Sequence, residues 1–185
     1  MTGSRKNQLV RLCFAAMLTA LQVVLGTFFS LPVGPMRFTL DGLPIILAAL
    51  LMGPWWGVSV GLVGRFFVDL FGTYGLSVTT PLWMLPAGLR ALVVGLFFIG
   101  VPYGDPRRSS YTSPRLMAAL PISSLVVTLA NTAATYFDSK IFGYYAPGVV
   151  WAAFGWRLLA GVITAAVYFA VVPWLVRPLQ KLMAA

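Results

Sequence analysis

Long apolar runs separated by short polar clusters make up almost the whole chain. A helix of roughly 20 residues crosses a hydrocarbon core of about 30 Å. The first run, 12–31, fits one span and follows Arg5, Lys6 and Arg11. It is longer than a signal-peptide core and lacks a clear small-x-small cleavage site, so it reads as a retained helix. The next stretch allows two readings. It holds either one span over 43–62 or two short helices broken at Gly53-Pro54, about 38–52 and 55–72. Proline has no N–H and clashes with the preceding turn, which makes Gly-Pro a natural break. Later spans fall at about 82–101, 115–137 and 149–174.

Charge placement separates the two readings. With six helices and the N-terminus inside, Arg107, Arg108, Arg115, Arg177 and Lys181 all lie inside, and the outer loops hold only Arg37 and Lys140. With five helices, Arg107, Arg108, Arg115 and the C-terminus fall outside. The excess of lysine and arginine on cytoplasmic loops favours six. The expectation is therefore an all-α integral membrane protein. It forms one domain over 1–185, a six transmembrane helix bundle with helices about 8–31, 38–52, 55–72, 82–101, 115–137 and 149–174, and N- and C-termini cytoplasmic. The short second helix is expected to be absorbed by thinning or tilt. Loops at about 32–37, 73–81 and 138–148 face outward, and 102–114 reads as a solvated inner turn.

Composition sharpens this. Of 185 residues, 59% are hydrophobic and 9% charged, against about 45–50% and about 25% for an average soluble domain. Mean hydropathy is +0.89. A soluble globule of this size cannot hide so much apolar surface. Histidine is absent and there are only four acids, all aspartate. That excludes Ser–His–Asp and Cys–His catalysis and leaves no zinc ligand set. The single Cys13 makes no internal disulfide. The net charge of +9 sits at the ends of apolar runs, with no continuous patch for nucleic acid. No cofactor, metal site or catalytic residue is expected.

Ionisable groups inside spans are costly and usually face the protein interior. Arg65, Asp69, Arg90 and Arg157 are in that position, with Asp41 near the outer end of the second helix. Arg65 and Asp69 are four residues apart and can pair on one helix face. Arg90 and Arg157 have no acid beside them in sequence. Since the spans and outer loops hold more arginines than acids, an anionic ligand is a natural partner for Arg37, Arg90 or Arg157; snorkelling of Arg37 and Arg157 is the alternative. Asn131, Thr135 and Asp138 share one helical face, which either glues helices together or lines a polar pocket. Tyr74 and Trp83 are interface anchors or stack on a flat heterocycle. Ala16-x-x-x-Ala20 lets another helix approach closely.

These segments together resemble a family. Arg37-Phe38-Thr39-Leu40-Asp41-Gly42-Leu43-Pro44-Ile45-Ile46-Leu47-Ala48 resembles "RISFGxLPIILAG", and Gly53-Pro54-Trp55-Trp56-Gly57 with Gly61 resembles "GPxWGxxxG". Asn131-Thr132 and Arg157-Leu158 resemble the later "NT" and "RL". In order and spacing the chain is similar to the substrate-binding S component of an energy-coupling factor (ECF) vitamin transporter, nearest the folate-type branch. The family's usual acid after "GPxWG" is replaced by Arg65, with Asp69 one turn later, and Val78-Thr79-Thr80-Pro81-Leu82-Trp83 stands where "NPxFT" is usual. Both departures leave the vitamin open: pantothenate, riboflavin or a queuosine precursor remain beside folate.

The resemblance implies a cell-membrane subunit that binds a vitamin in a pocket open to the outside and closed by the loops after the first and third helices. It implies docking through Ala16 and Ala20 onto a transmembrane coupling subunit, two ATPase subunits that drive the cycle, and toppling of the whole subunit in the membrane. The absence of a G-x-x-x-x-G-K loop accords with that. The expected site is Arg37, Arg90 and Arg157 for charge, Asp69 and Asn131 for hydrogen bonds, and Tyr74 and Trp83 for stacking. The competing readings are a small self-contained transporter, and a membrane enzyme whose acid–base chemistry would fall to four aspartates.

Overall fold

The structure, a computed structural model, describes residues 2–33, 36–72, 75–103, 105–108, 110–111 and 113–184. Six α-helices account for nearly all of these: α1 (Thr2–Thr27), α2 (Gly42–Met52), α3 (Pro54–Phe71), α4 (Thr80–Phe97), α5 (Pro114–Ile141) and α6 (Pro147–Ala184). A proline stands in the first turn of α3, α4 and α5, and Pro147 opens α6. Proline suits that position because its missing N–H would be unpaired anyway. Among the described residues, four helices are long and apolar enough to cross a membrane, over Gln8–Thr27, Thr80–Phe97, Pro114–Ile141 and Val150–Leu182.

The short helix is the organising element. α2 has 11 residues, about 16 Å of rise, roughly half a hydrocarbon core. All of its residues are buried. It packs against α1, α3, α4 and α6, while α3 links α1 to α4 and α5 links α4 to α6. Five helices thus form an arc around α2. A helix that is apolar on every side is stable only with such an all-round partner. The expected thinning or tilt is not what accommodates the short helix. It sits inside protein, so its length need not match the bilayer.

The rest of the crossing on α2's side is filled by a β-hairpin, not by the loop expected at 32–37. Strand β1 (Ser30–Val33) pairs antiparallel with β2 (Met36–Thr39), Ser30 opposite Thr39 and Val33 opposite Met36. β1 packs on α1 and β2 on α6, so the hairpin bridges the gap in the arc. Its backbone polar groups pair within the ladder, which makes non-helical chain tolerable at this depth. The hairpin therefore ends α1 at Thr27 and delays α2 to Gly42.

At the opposite end, Gly53 breaks the chain between α2 and α3. Its φ of +103° is a conformation that side chains with a Cβ rarely adopt, and its N–H donates to the Ala49 carbonyl at 3.1 Å. The connection between α4 and α5 carries a single 3-10 turn at Pro106–Arg108. It is not simply a solvated turn. Arg107 is exposed, but Arg108 is 3% exposed. Its guanidinium donates to the carbonyls of Leu50 (2.6 Å), Phe98 (2.9 Å) and Val101 (2.5 Å). It thereby satisfies carbonyls at the ends of α2 and α4, where a cation also complements the helix dipoles.

Candidate functional site

Two polar clusters lie in the half of the bundle that carries the hairpin. The deeper one is built around Asp41-Gly42, at the start of α2. Because α2 spans only half the crossing, its N-terminus reaches only about the middle. There it meets Arg65, eleven residues along α3, and Arg90, ten residues along α4, each about 15 Å from its helix start. Arg65 holds Asp69 at 2.8 Å and approaches Asp41 at 3.9 Å. Thr39 donates to Asp41 at 2.7 Å, tying the hairpin to the same carboxylate.

Arg90 is bound differently. Its Nη1 donates to the Tyr168 hydroxyl at 3.0 Å, and its guanidinium lies 5.4 Å from that ring's centroid. Tyr168 is fully enclosed. Gly42 makes room for this pair, since a Cβ there would overlap the Arg90 guanidinium and the Tyr168 hydroxyl. Among the described residues, no carboxylate lies within ion-pair distance of Arg90.

The second cluster lies at the hairpin end. Asp138, near the end of α5, accepts from the Thr79 hydroxyl, from Trp83 Nε1 at 3.4 Å and from the Tyr144 hydroxyl. It thus joins the start of α4, the end of α5 and the connection to α6. Its partners are hydroxyls and an indole, not a cation. Tyr144 lies outside the spans. Desolvation by burial, followed by the Asp138 hydrogen bond and charge, pushes its hydroxyl up to about 12. Lys140 lies over the rings of Tyr145 (4.3 Å) and Tyr136 (5.8 Å).

One and two turns below Asp138 on the same face, Arg157 of α6 crosses to α5. Its Nη1 donates to the Asn131 carbonyl at 3.0 Å and its Nη2 to Thr135 Oγ1 at 2.6 Å. Thr135 donates its own proton to the Asn131 carbonyl at 2.9 Å, so its one donor is used. Arg157 also has only neutral partners among the described residues.

The expected residues are thus divided. Arg157 and Asn131 come together, although Asn131 contributes its backbone carbonyl. Asp69 is engaged by Arg65. Trp83 and Arg90 lie seven residues apart on one face of α4, so they align along the helix axis. Trp83 is tied to Asp138. Arg37 is in β2 opposite Pro32, and its side chain lies outside the description. Tyr74 falls outside the described residues. Three residues central to the clusters were missing from the expected site: Tyr168, Thr79 and Asp138. Asp138 had been legible as part of the Asn131–Thr135–Asp138 stripe. Tyr168 carried no local signal, because an apolar run surrounds it.

Among the described residues, a groove between α1 and α3 and another between α5 and α6 open on the surface of the bundle, and neither is lined by Arg90, Arg157 or Trp83. The first, of about 630 Å³, is lined by Ala16, Ala20, Trp56, Val60 and Phe67 among others. Ala16 and Ala20 are exposed there.

Residues 10–176 match the family model described as "ECF transporter, substrate-specific component". The chain belongs to this family. It is a multi-pass membrane protein and a substrate-binding transporter subunit, not an enzyme. An S component of a bacterial ECF transporter superposes with a TM-score of 0.66 at 22% identity, covering 93% of this chain and 98% of that one. A biotin S component from an ECF-type ABC transporter superposes at 0.61 with 19% identity, covering 98% and 95%. At these identities the likeness is one of fold. A UPF0397 protein of Vibrio atlanticus (strain LGP32) is 38% identical over 53 residues, which is 29% of this S component and 28% of that protein.

Proposed function

We propose that this S component captures a folate-type vitamin at its hairpin end, which faces outward, while both chain termini lie in the cytoplasm. One observation carries the reading. Arg90 and Arg157 are set into the hairpin half of the bundle, and among the described residues each donates to neutral oxygens and to no carboxylate. A desolvated cation without a counter-charge is costly, and a guanidinium grips a carboxylate through two parallel hydrogen bonds. A folate-type ligand brings carboxylates for such arginines and a flat ring for Trp83 and Tyr74. Arg37 adds a further charge for the ligand, and Asp69 and Asn131 supply hydrogen-bonding groups. The hairpin and the connection after α3 close over the ligand. Arg65 is already engaged, paired with Asp69 at 2.8 Å and close to Asp41 at 3.9 Å, whereas Arg90 and Arg157 have no carboxylate partner among the described residues.

In the same reading, the exposed face of α1 at Ala16 and Ala20 docks on a transmembrane coupling subunit served by two ATPase subunits. The test begins with the chain purified in detergent and the small molecule that travels with it identified by mass spectrometry. A folate should be found. Arg90→Ala and Arg157→Ala should each lower affinity at least tenfold, the loss of one charged hydrogen-bonded contact, with helicity unchanged. A different vitamin, or unchanged affinity in both variants, overturns the assignment.

A further inference from the structure

The groove between α5 and α6 is separate from every residue assigned to the vitamin or to docking. It encloses about 400 Å³, with Leu120, Ser124 and Leu125 on one wall and Gly161, Val162 and Ala165 on the other. Small residues on the α6 side, Gly161, Ala165 and Ala166, leave the space open. Along α5 it runs from Met117 to Thr128, about 17 Å of helix rise. One leaflet of a hydrocarbon core about 30 Å thick has nearly that depth.

The mouth at the turn end differs from the walls. Phe169 lines the groove there. The Tyr111 ring stands edge-on to Phe169, with centroids 6.1 Å apart, and its hydroxyl donates to the Ala170 carbonyl at 3.1 Å. Arg177 lies 5.7 Å from the Tyr111 ring centroid. Lys181 follows one turn later on α6, and both cations are exposed. The aspartate on this connection, Asp105, approaches Arg107 at 4.0 Å and accepts from its backbone N–H at 2.8 Å. Among the described residues, neither Arg177 nor Lys181 has a carboxylate partner.

We infer that this groove seats an acyl chain of an anionic phospholipid from the leaflet at the turn end, with its phosphate between Arg177 and Lys181. Two features select this occupant. The groove is one leaflet deep, and Arg177, beside the Tyr111 ring that edges Phe169, has the sign opposite to the headgroup. Cations beside an anionic lipid surface each contribute about 1 kcal/mol. A zwitterionic lipid carries its own ammonium and gains less. A second copy of the chain is disfavoured, since twofold pairing through α5 and α6 at equal depth would bring Arg177 and Lys181 toward their own equivalents.

The experiment offers the purified chain phosphatidylglycerol and phosphatidylcholine with identical acyl chains, and counts retained lipids by native mass spectrometry. One phosphatidylglycerol should be retained with at least tenfold preference. The double variant Arg177→Gln, Lys181→Gln should bring that preference close to one. Ala165→Phe, which fills the groove, should remove retention of both lipids. Should Ala165→Phe not fold, the double variant still decides, because its substitutions are on the exposed surface. Soluble glycerol 3-phosphate should give no thermal protection. Equal retention of the two lipids, a preference that survives the double variant, protection by glycerol 3-phosphate alone, or a dimer in place of a lipid adduct would each overturn the site.

Discussion

Arg108 and Tyr144 are the residues whose chemistry is easiest to isolate. Burial pulls the Arg108 guanidinium below its ordinary range, while Tyr103 and Asp105 pull it back. The guanidinium also lies 4.5 Å from the Tyr103 ring centroid. Removing it would leave three carbonyls at helix ends without that donor. Arg108→Met should therefore cost about 3 kcal/mol of stability. Arg107→Met, an exposed position, should stay within about 0.5 kcal/mol. Thermal melts of the two variants side by side check this, and equal losses would contradict it. Tyr144 gives a pH signature. Its neutral form donates to Asp138, and its pKa is raised from 10.0 to about 12. The contact's contribution is thus complete below about pH 10 and is lost as pH rises through about 12. An ultraviolet titration compared with that of Tyr144→Phe should show that the tyrosine lost in the variant ionises near the top of that window.

At the level of elements, the packing of α3 against α4 depends on where a side chain is missing. A Cβ on Gly95 would lie 2.5 Å from the Pro54 Cα, a backbone atom that cannot swing away. Gly95→Ala should cost about 1–3 kcal/mol through overpacking. Gly155, inside α6, has nothing within 4 Å of such a Cβ. There Gly155→Ala should be neutral or stabilise by up to about 1 kcal/mol, because alanine favours a helix interior. Melting both variants separates close packing from intrinsic propensity. A matched loss would show that the α3–α4 approach is not the cause. The face of α1 is open in the opposite sense. Ala16→Leu with Ala20→Leu should leave vitamin binding intact and weaken co-purification with the coupling subunits several-fold.

For the whole molecule, six helices that alternate in direction would put both chain ends on one side. Reporter fusions at residues 1 and 185 should give the same, cytoplasmic signal, and opposite signals would sink the six-crossing topology. The helix breaks were legible in the sequence because their causes are local. Gly53-Pro54 interrupts one apolar run, and proline opens α3, α4, α5 and α6. The hairpin was not legible. Four-residue strands carry too few positions to show alternation, and Gly34-Pro35 between them looks like an ordinary loop. Arg108 was not legible either. Pro106-Arg107-Arg108 gives two arginines the same surroundings in sequence, and only folding sends one of them inward. The arginines of the candidate site could be named as costly intramembrane charges, but their partners could not, since Arg90 meets Tyr168 across 78 positions and Arg157 meets Thr135 across 22.

Hydropathy and the local chemistry of proline, glycine and charge depend on neighbours in the chain, so the sequence alone determined that this is a multi-helix membrane protein and which ionisable groups lie within it. Which of those groups neutralise one another depends on helix rotation and depth. That was decided only when α2 was enclosed by the other helices, bringing Asp41 to Arg65 and leaving Arg90 and Arg157 to neutral oxygens.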